Sequence, residues 1–153
     1  MSKKNKEIVI SKDEAVFWLD RNGRWHNEFG EFQHKKIIAF FHASIRKDKK
    51  GYFLRQTQDN YREKVYFRCE DGALFVFDVI MDKDIILVLN TGKKTKLKPK
   101  KLWIKNDNLY MQEGRDQVKF TEQSLLKISY LLETDDCRYF IRIRNRKYKI
   151  REL

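Results

Sequence analysis

The sequence is poor in the residues that break or cross-link chains. It has one proline and six glycines in 153 residues, too few for a long flexible linker. Its two cysteines, Cys69 and Cys137, form neither a CxxC pair nor a zinc-finger spacing, so we interpret them as reduced thiols. No apolar run approaches the roughly 18 residues of a membrane span, and the basic start lacks a signal-peptide core. We therefore expect a cytoplasmic protein without a membrane span.

The composition favours a folded domain with a highly charged surface. Aromatic residues make up 14% of the chain and hydrophobic residues 41%, enough for a sizeable core. The formal net charge is +12, which raises the expectation of a polyanionic partner. The alternative is a soluble protein whose many lysines only keep it in solution.

Two stretches of the chain align as a possible internal repeat. "FWLDRNGRW" (residues 17–25) matches "LWIKNDNLY" (residues 102–110), with Trp18 over Trp103 and Trp25 over Tyr110. The "RNG" and "NDN" segments favour turns, because Asn, Asp and Gly tolerate positive φ. Each stretch therefore predicts a β-hairpin.

The match continues through a helix and a second hairpin in each half. Apolar residues at helical spacing predict helices in "HKKIIAFFHASI" and "TEQSLLKISYLL". Aromatic strands follow at residues 52–54 and 139–141. We predict an α+β fold of two similar hairpin-helix-hairpin modules, packed side by side with mainly antiparallel sheet, comprising residues 1–82 and 83–153.

The segment between the repeats contains two apolar strands. "GALFVFDVI" and "DIILVLN" are joined by the short turn "MDKD". Their continuous apolar character indicates either burial on both faces or an interface between the halves.

All three histidines, His26, His34 and His42, lie within residues 25–45. The predicted elements place His26 on a strand, His34 near a helix N-terminus and His42 inside the helix. The eight-residue spacing of His34 and His42 differs from the i, i+4 pair of a metal helix. We interpret His42 as a partly buried core residue. His34, followed by two lysines, is a candidate contact for a small anion.

The segment "NYREKVYFRCEDGALFVFDV", with several upstream motifs, resembles a known bacterial family. The motifs are Gly23-x-Trp25, Gly30, Gly51-Tyr52-x-Leu54, Glu63-Lys64-Val65, and Glu70-Asp71 followed by Ala73 and Phe75. Over residues 17–80 they resemble domain-of-unknown-function family 1285. The family carries Thr-Pro before the glutamate and a Pro after the alanine, and this chain has neither. The resemblance implies a small bacterial α+β protein with repeated motifs and implies no particular reaction.

The charged residues of that segment allow two interpretations. Glu63, Glu70 and Asp71 could act as acid–base groups or cation ligands near strand ends. They could equally serve turns and ion pairs with neighbouring basic residues. No Gly-rich phosphate loop, nucleophile elbow or zinc-protease motif is present, so we assign no catalytic residues, no metal site and no cofactor.

Three functions are compatible with these observations. The first is a binding or regulatory module, leaning away from an enzyme, that takes a small anionic ligand where the repeats meet. Its predicted ligand-binding residues are Trp25, His34, Tyr52, Glu63, Lys64, Glu70 and Asp71. The alternative is a nucleic-acid-binding protein that uses basic residues of the second half. Those residues are Lys93, Lys94, Lys96, Lys98, Lys100, Lys101, Arg142 and Arg144. A third is a small enzyme with carboxylates at Glu63, Glu70 and Asp71.

Overall fold

The computed structural model describes residues 6–57 and 59–153. They form two compact units that divide between Ala73 and Leu74. The fold is α+β, with two helices and mostly antiparallel strands, as the sequence predicts. The strand that begins at Leu74 pairs with later strands, so it belongs to the second unit. The division of the chain into two repeated modules, residues 1–82 and 83–153, remains a prediction.

The described residues of the N-terminal unit form eight strands and one helix. They are β1 (Lys6–Ile10), β2 (Phe17–Leu19), β3 (Trp25–Asn27), β4 (Gly30–Glu31), α1 (Lys35–Ala43), β5 (Ile45–Asp48), β6 (Gly51–Thr57), β7 (Tyr61–Tyr66) and β8 (Arg68–Cys69). The strands form two sheets, in the orders β1-β7-β6-β5 and β4-β3-β2-β8. The pairs β1–β7 and β2–β8 are parallel and the others antiparallel.

The C-terminal unit contains nine strands, one α-helix and two 3₁₀ turns. They are β9 (Leu74–Met81), β10 (Ile85–Leu89), β11 (Lys94–Lys96), a 3₁₀ turn (Pro99–Lys101), β12 (Leu102–Lys105), β13 (Asn108–Glu113), β14 (Asp116–Phe120), α2 (Glu122–Ile128), a 3₁₀ turn (Ser129–Leu131), β15 (Leu132–Asp135), β16 (Arg138–Ile143) and β17 (Arg146–Glu152). One sheet joins all nine strands, in the order β11-β10-β9-β14-β13-β12-β17-β16-β15.

The two units share one strand order. β4-β3-β2-β8 followed by β7-β6-β5 corresponds to β14-β13-β12-β17-β16-β15, with β7 and β8 together matching the continuous β17. In both units the first hairpin strand pairs in parallel with the last strand: Trp18 lies opposite Arg68, and Trp103 lies opposite Arg151. This agreement supports the predicted internal repeat, which itself stays a prediction.

The strand registers change one detail of the sequence alignment. Trp18 pairs with His26, and Trp103 pairs with Tyr110. Both pairs stack, at ring distances of 5.6 Å and 5.4 Å. By register, His26 rather than Trp25 therefore corresponds to Tyr110. The alignment by aromatic identity is one residue off because the first hairpin has the longer connection: five residues separate the paired Leu19 and Trp25, and four separate the paired Ile104 and Leu109.

Both helices begin with a side-chain cap; α1 leads into β5, and α2 leads into a 3₁₀ turn that precedes β15. The Thr121 hydroxyl accepts a hydrogen bond from the Ser124 N–H at 3.2 Å, which satisfies one free donor of α2. The predicted apolar stripe of α1 is only partly buried, since Ile37 remains 46% exposed and His42 is the residue of α1 that is fully buried. In α2 the buried residues are Ser124 and Ile128.

The core of the C-terminal unit lies on one face of its sheet. It contains Met111, Val118, Ile141 and Ile150, each at most 1% exposed, and Ile128 of α2. One of the two expectations for the apolar run of β9 was burial on both faces. The strand is not buried along its whole length: Phe77, Ile80 and Met81 are exposed.

Turn chemistry explains three of the tight hairpins of this unit. Two successive residues have positive φ in each: Asn106 and Asp107, Asp136 and Cys137, Arg144 and Asn145. Such pairs match the twist of the flanking strands. The predicted "NDN" turn is confirmed. Within the described residues, no helix has both the length and the apolar character needed to span a membrane.

Candidate functional site

Trp25 and His42 form a buried polar contact in the N-terminal unit. Trp25 Nε1 donates to His42 Nδ1 at 3.3 Å. Burial lowers the pKa of His42 to about 4, so its imidazole is neutral near pH 7. His42 is thus a core histidine, as expected. Trp25, a predicted ligand contact, is 1% exposed and packs edge-to-face against Phe67.

The other two histidines each have a structural partner. His34 is the N-cap of α1, and its Nδ1 accepts from the Ile37 N–H at 3.3 Å. His26 Nε2 lies 2.7 Å from Asp20 Oδ2. Burial opposes ionisation of Asp20, but hydrogen bonds from His26 and from backbone N–H groups lower its pKa overall. An anion contact at His34 stays a prediction, restricted to the Nε2 side of the ring.

Lys64, another predicted ligand contact, belongs to a compact polar cluster on one sheet. Asp48 Oδ2 accepts from Lys64 Nζ at 2.8 Å and from the Tyr66 hydroxyl at 2.6 Å. Lys64 Nζ also lies 4.5 Å from the Phe53 ring centre. The Lys64 and Tyr66 hydrogen bonds hold the pKa of Asp48 well below its usual range, and Asp48 raises the pKa of Lys64. The lysine that was predicted to contact a ligand is therefore already paired.

The predicted carboxylates differ in their surroundings. A Glu70 oxygen accepts from the Arg21 N–H at 3.1 Å and lies 3.5 Å from Arg21 Nε. Glu63 lies inside β7, opposite Gln56, whereas the sequence placed it at a strand end. Asp71 follows β8 and is exposed. Within residues 6–57 and 59–153, no group of three or more His, Cys, Asp or Glu side chains is arranged to hold a metal ion.

Tyr52 completes the predicted set on the neighbouring strand β6. Its ring centre lies 5.2 Å from Lys47 Nζ, on the paired strand β5. Of the seven predicted residues, Tyr52, Glu63 and Lys64 therefore share one sheet, whereas Trp25 lies in the other sheet of this unit.

The C-terminal unit contains an open cavity of about 560 Å³. Its wall is formed by the β9–β10 turn, β11 with the 3₁₀ turn after it, the second 3₁₀ turn and the β16–β17 hairpin. The lining residues are Met81, Asp82, Lys83, Asp84, Ile85, Lys96, Leu97, Pro99, Tyr130, Leu131, Ile143, Arg144, Arg146 and Tyr148. Four of these are basic and two acidic, so the lining carries a net charge of two positive units. The volume is in the range of small-molecule sites.

Among the residues that line this cavity, Arg144 alone has a positive φ. It lies at the first position of a tight turn with φ 51°, a region that glycine and asparagine adopt far more readily than arginine. Its guanidinium reaches across to the β9–β10 turn, where it donates to Asp84 Oδ1 at 3.1 Å and to the Lys83 carbonyl. Asp84 also lies 3.3 Å from Lys96 Nζ. Five other non-glycine residues in the tight turns of this unit also have positive φ, but Arg144 is the one among them that lines this cavity.

The basic residues predicted to bind nucleic acid separate into two groups. Four have a carboxylate partner: Lys96 and Arg144 with Asp84, Lys98 with Glu113, and Arg142 with Glu133. The remainder, Lys93, Lys94, Lys100 and Lys101, are exposed, and within residues 6–57 and 59–153 none of them forms an ion pair. Four of the eight predicted basic residues are thus paired, with three carboxylates between them.

Several cavity residues were not predicted from the sequence. Tyr130 is 70% exposed at the cavity, and the Arg146 guanidinium carbon lies 5.3 Å from the ring centre of Tyr148. The alternation of Arg144, Arg146 and Tyr148 could have indicated one strand face. Nothing in the sequence, however, brings that hairpin to the β9–β10 turn sixty residues earlier.

Two solved structures match this architecture. A DUF1285 family protein from Silicibacter pomeroyi superposes with a TM-score of 0.62 and 11% identity, over 97% of this chain and 84% of that one. A DUF1285 family protein from Shewanella baltica gives a TM-score of 0.52 and 16% identity, over 75% of this chain and 91% of that one. This chain has the DUF1285 fold.

The resemblance to domain-of-unknown-function family 1285 is thus confirmed at the level of the fold. The first of the two DUF1285 structures matches nearly the whole chain, so the likeness extends beyond residues 17–80 into the C-terminal unit. No family model and no curated protein matches the sequence.

Proposed function

We propose that this protein is a binding module that takes a small anionic ligand in the cavity of its C-terminal unit. The observation that carries the proposal is Arg144, a bulky cation in a left-handed turn conformation that lines a cavity of about 560 Å³. Asparagine or glycine would adopt this turn conformation with less backbone strain. We therefore infer that arginine occupies this position because of its side chain.

The lining indicates the ligand class. Arg144 and Lys96 share the Asp84 carboxylate. Lys83 and Arg146 have no ion pair within the described residues, so the lining keeps a net positive charge and an anionic group is favoured. Tyr130 and Tyr148 offer ring surface for a planar apolar part, since such cavities combine apolar walls with a few polar anchors. Aromatic carboxylates and nucleoside monophosphates have both features.

The expectation of a site at the junction of the repeats stays a prediction. Of its residues, Trp25 is buried, and Lys64 and Glu70 already have charged partners. The cavity of the C-terminal unit requires none of these residues, so the two locations can be separated by mutation.

The test is a thermal-shift screen with aromatic carboxylates and nucleoside monophosphates. A ligand present at about 100 times its Kd should raise the melting temperature measurably, because it stabilises the native state by about 2.7 kcal/mol. Arg144→Asn should abolish the shift while preserving the turn. Arg142→Gln removes an arginine from the same hairpin outside the cavity and should retain it. An equal loss in both variants, or a shift that survives Arg144→Asn, would contradict the proposal.

A further inference from the structure

The side chains of β17 point alternately to two different environments. Ile150 is 1% exposed in the hydrophobic core, whereas its neighbours Lys149 and Arg151 are exposed on the opposite face of the strand. Tyr148 lines the larger cavity on the core side. Lys149 and Arg151 therefore belong to a separate surface.

A second, smaller cavity lies on that surface. Because β12 pairs in parallel with β17, the 3₁₀ turn that precedes β12 brings Lys100 and Lys101 beside Lys149 and Arg151. These four cations, which we call the basic pocket, line a cavity of about 250 Å³ together with Leu102, Trp103 and Gln112.

The basic pocket contains positive charge that the protein does not neutralise. Its lining includes four basic side chains and no acidic one. Within the described residues, no ion pair links any of the four to a carboxylate. By contrast, Lys147 on the same strand lies 3.5 Å from Asp135. Convergent cations repel each other, and an anion bound among them would relieve that repulsion.

The shape of the basic pocket indicates which anion it takes. Its volume is below the ~300–1,000 Å³ of sites for drug-sized molecules, so a compact group fits better than a whole nucleotide. Trp103 is only 8% exposed and stacks on Tyr110, which is 5% exposed. Neither ring offers the exposed face on which single-stranded nucleic acids stack their bases. The guanidinium of Arg151 can bind two phosphate oxygens at once, and the lysines add point charges.

We infer that the basic pocket binds the di- or triphosphate group of a small phosphorylated molecule. This inference does not depend on the proposed function, because the two cavities lie on opposite faces of β17 and have no lining residue in common. Lys100 and Lys101 were predicted to contact a polyanion. Lys149 and Arg151 were not predicted to contact a polyanion. Their alternation with an isoleucine could have indicated that both side chains lie on one exposed strand face.

The test is a calorimetric titration with tripolyphosphate and pyrophosphate at fixed ionic strength, with sulfate as the reference anion. We expect saturable one-to-one binding of tripolyphosphate, and weaker binding of sulfate. The double variant Lys149→Gln/Arg151→Gln should weaken tripolyphosphate binding by about tenfold or more, since it removes two charge-assisted contacts. The conservative pair Lys149→Arg/Arg151→Lys should retain most of the affinity, and melting curves verify that each variant is folded.

The matched control is Lys93→Gln/Lys94→Gln, which removes the same charge from exposed residues outside the basic pocket. It should leave the affinity for tripolyphosphate unchanged. An equal loss in the Lys93/Lys94 control, or equal affinity for sulfate and tripolyphosphate, would overturn the inference. A 20-nucleotide single strand that binds more tightly than tripolyphosphate and is insensitive to the Lys149/Arg151 variant would instead favour a nucleic-acid surface.

Discussion

The ammonium group of Lys64 on β7 lies 2.8 Å from the Asp48 carboxylate on β5. The ring of Phe53, on the intervening strand β6, packs against the same ammonium group. In the C-terminal unit Lys147 pairs with Asp135 at 3.5 Å, over the ring of Phe140. The registers of the two meanders place these ion pairs at equivalent positions. A shared interaction of this kind supports duplication more strongly than the few identities in the sequence.

The two ion pairs should differ in their contribution to stability. Asp48 has a second donor in Tyr66, and its side chain is 30% exposed, whereas that of Asp135 is 63% exposed. Asp48→Asn should therefore lower the melting temperature more than Asp135→Asn. Because the pKa of Asp48 is lowered in the folded state, its contribution is present above the unfolded pKa of about 4 and is lost as the pH falls below it. Equal effects of the two substitutions at pH 7 would contradict this assignment.

His42 should make the protein less stable in mild acid. Its pKa is about 4 in the folded state and near 6.5 when unfolded, so the unfolded chain takes up a proton first as the pH falls. The stabilisation is complete above about pH 6.5 and decreases towards pH 4, by about 3 kcal/mol in total. Denaturant unfolding of the wild type and of His42→Gln, from pH 7.5 to 4, measures this contribution.

The glutamine at position 42 can still accept from Trp25 but does not titrate. The stability of His42→Gln should therefore change less with pH between 6.5 and 4 than that of the wild type. Parallel pH profiles for the two proteins would show that other groups control the acid sensitivity.

The cap of α2 gives a third prediction. Thr121 Oγ1 accepts from the Ser124 N–H and donates to the Val76 carbonyl at 3.1 Å. Thr121→Ala should reduce the free energy of unfolding by about 1 kcal/mol, the usual contribution of an N-cap. Thr121→Ser keeps the hydroxyl and should cost less. Identical denaturation midpoints for the alanine and serine variants would indicate that the hydroxyl contributes nothing.

The turn at Asp136 and Cys137 can be improved. Cys137 has φ 62° and is exposed, so its side chain strains the backbone without packing. Cys137→Gly should stabilise the protein by up to about 1 kcal/mol, because glycine adopts this conformation without strain. Cys137→Ser removes the thiol but keeps the strain, so it controls for oxidation. A lower melting temperature for the glycine variant than for the serine variant would contradict the explanation.

Local sequence signals predicted much of the fold. The Asn106–Asp107 turn, the two helices and the aromatic strands that contain Tyr52 and Tyr139 follow from turn chemistry and periodicity. The parallel pairings were not predicted, as in the case of Lys6–Ile10 with β7, because they join segments far apart in the chain. Short-range patterns contain no information about such partners.

The candidate sites were less predictable for the same reason. Arg144 was identified as basic, but its partner Asp84 and its positive φ depend on the tertiary structure. The charge of the lysine run alone could not show that Lys98 is neutralised by Glu113 while Lys100 has no such partner among the described residues.

Native mass spectrometry tests the central claim, that the C-terminal cavity binds a small anionic ligand, most directly. The protein is incubated with the ligand that gives the largest thermal shift, and spectra are recorded for the wild type, Arg144→Asn and Arg142→Gln, each with a denatured control. We predict one added ligand mass on the wild type and on Arg142→Gln, absent from Arg144→Asn and lost on denaturation. The same occupancy on Arg144→Asn as on the wild type would contradict the proposed site.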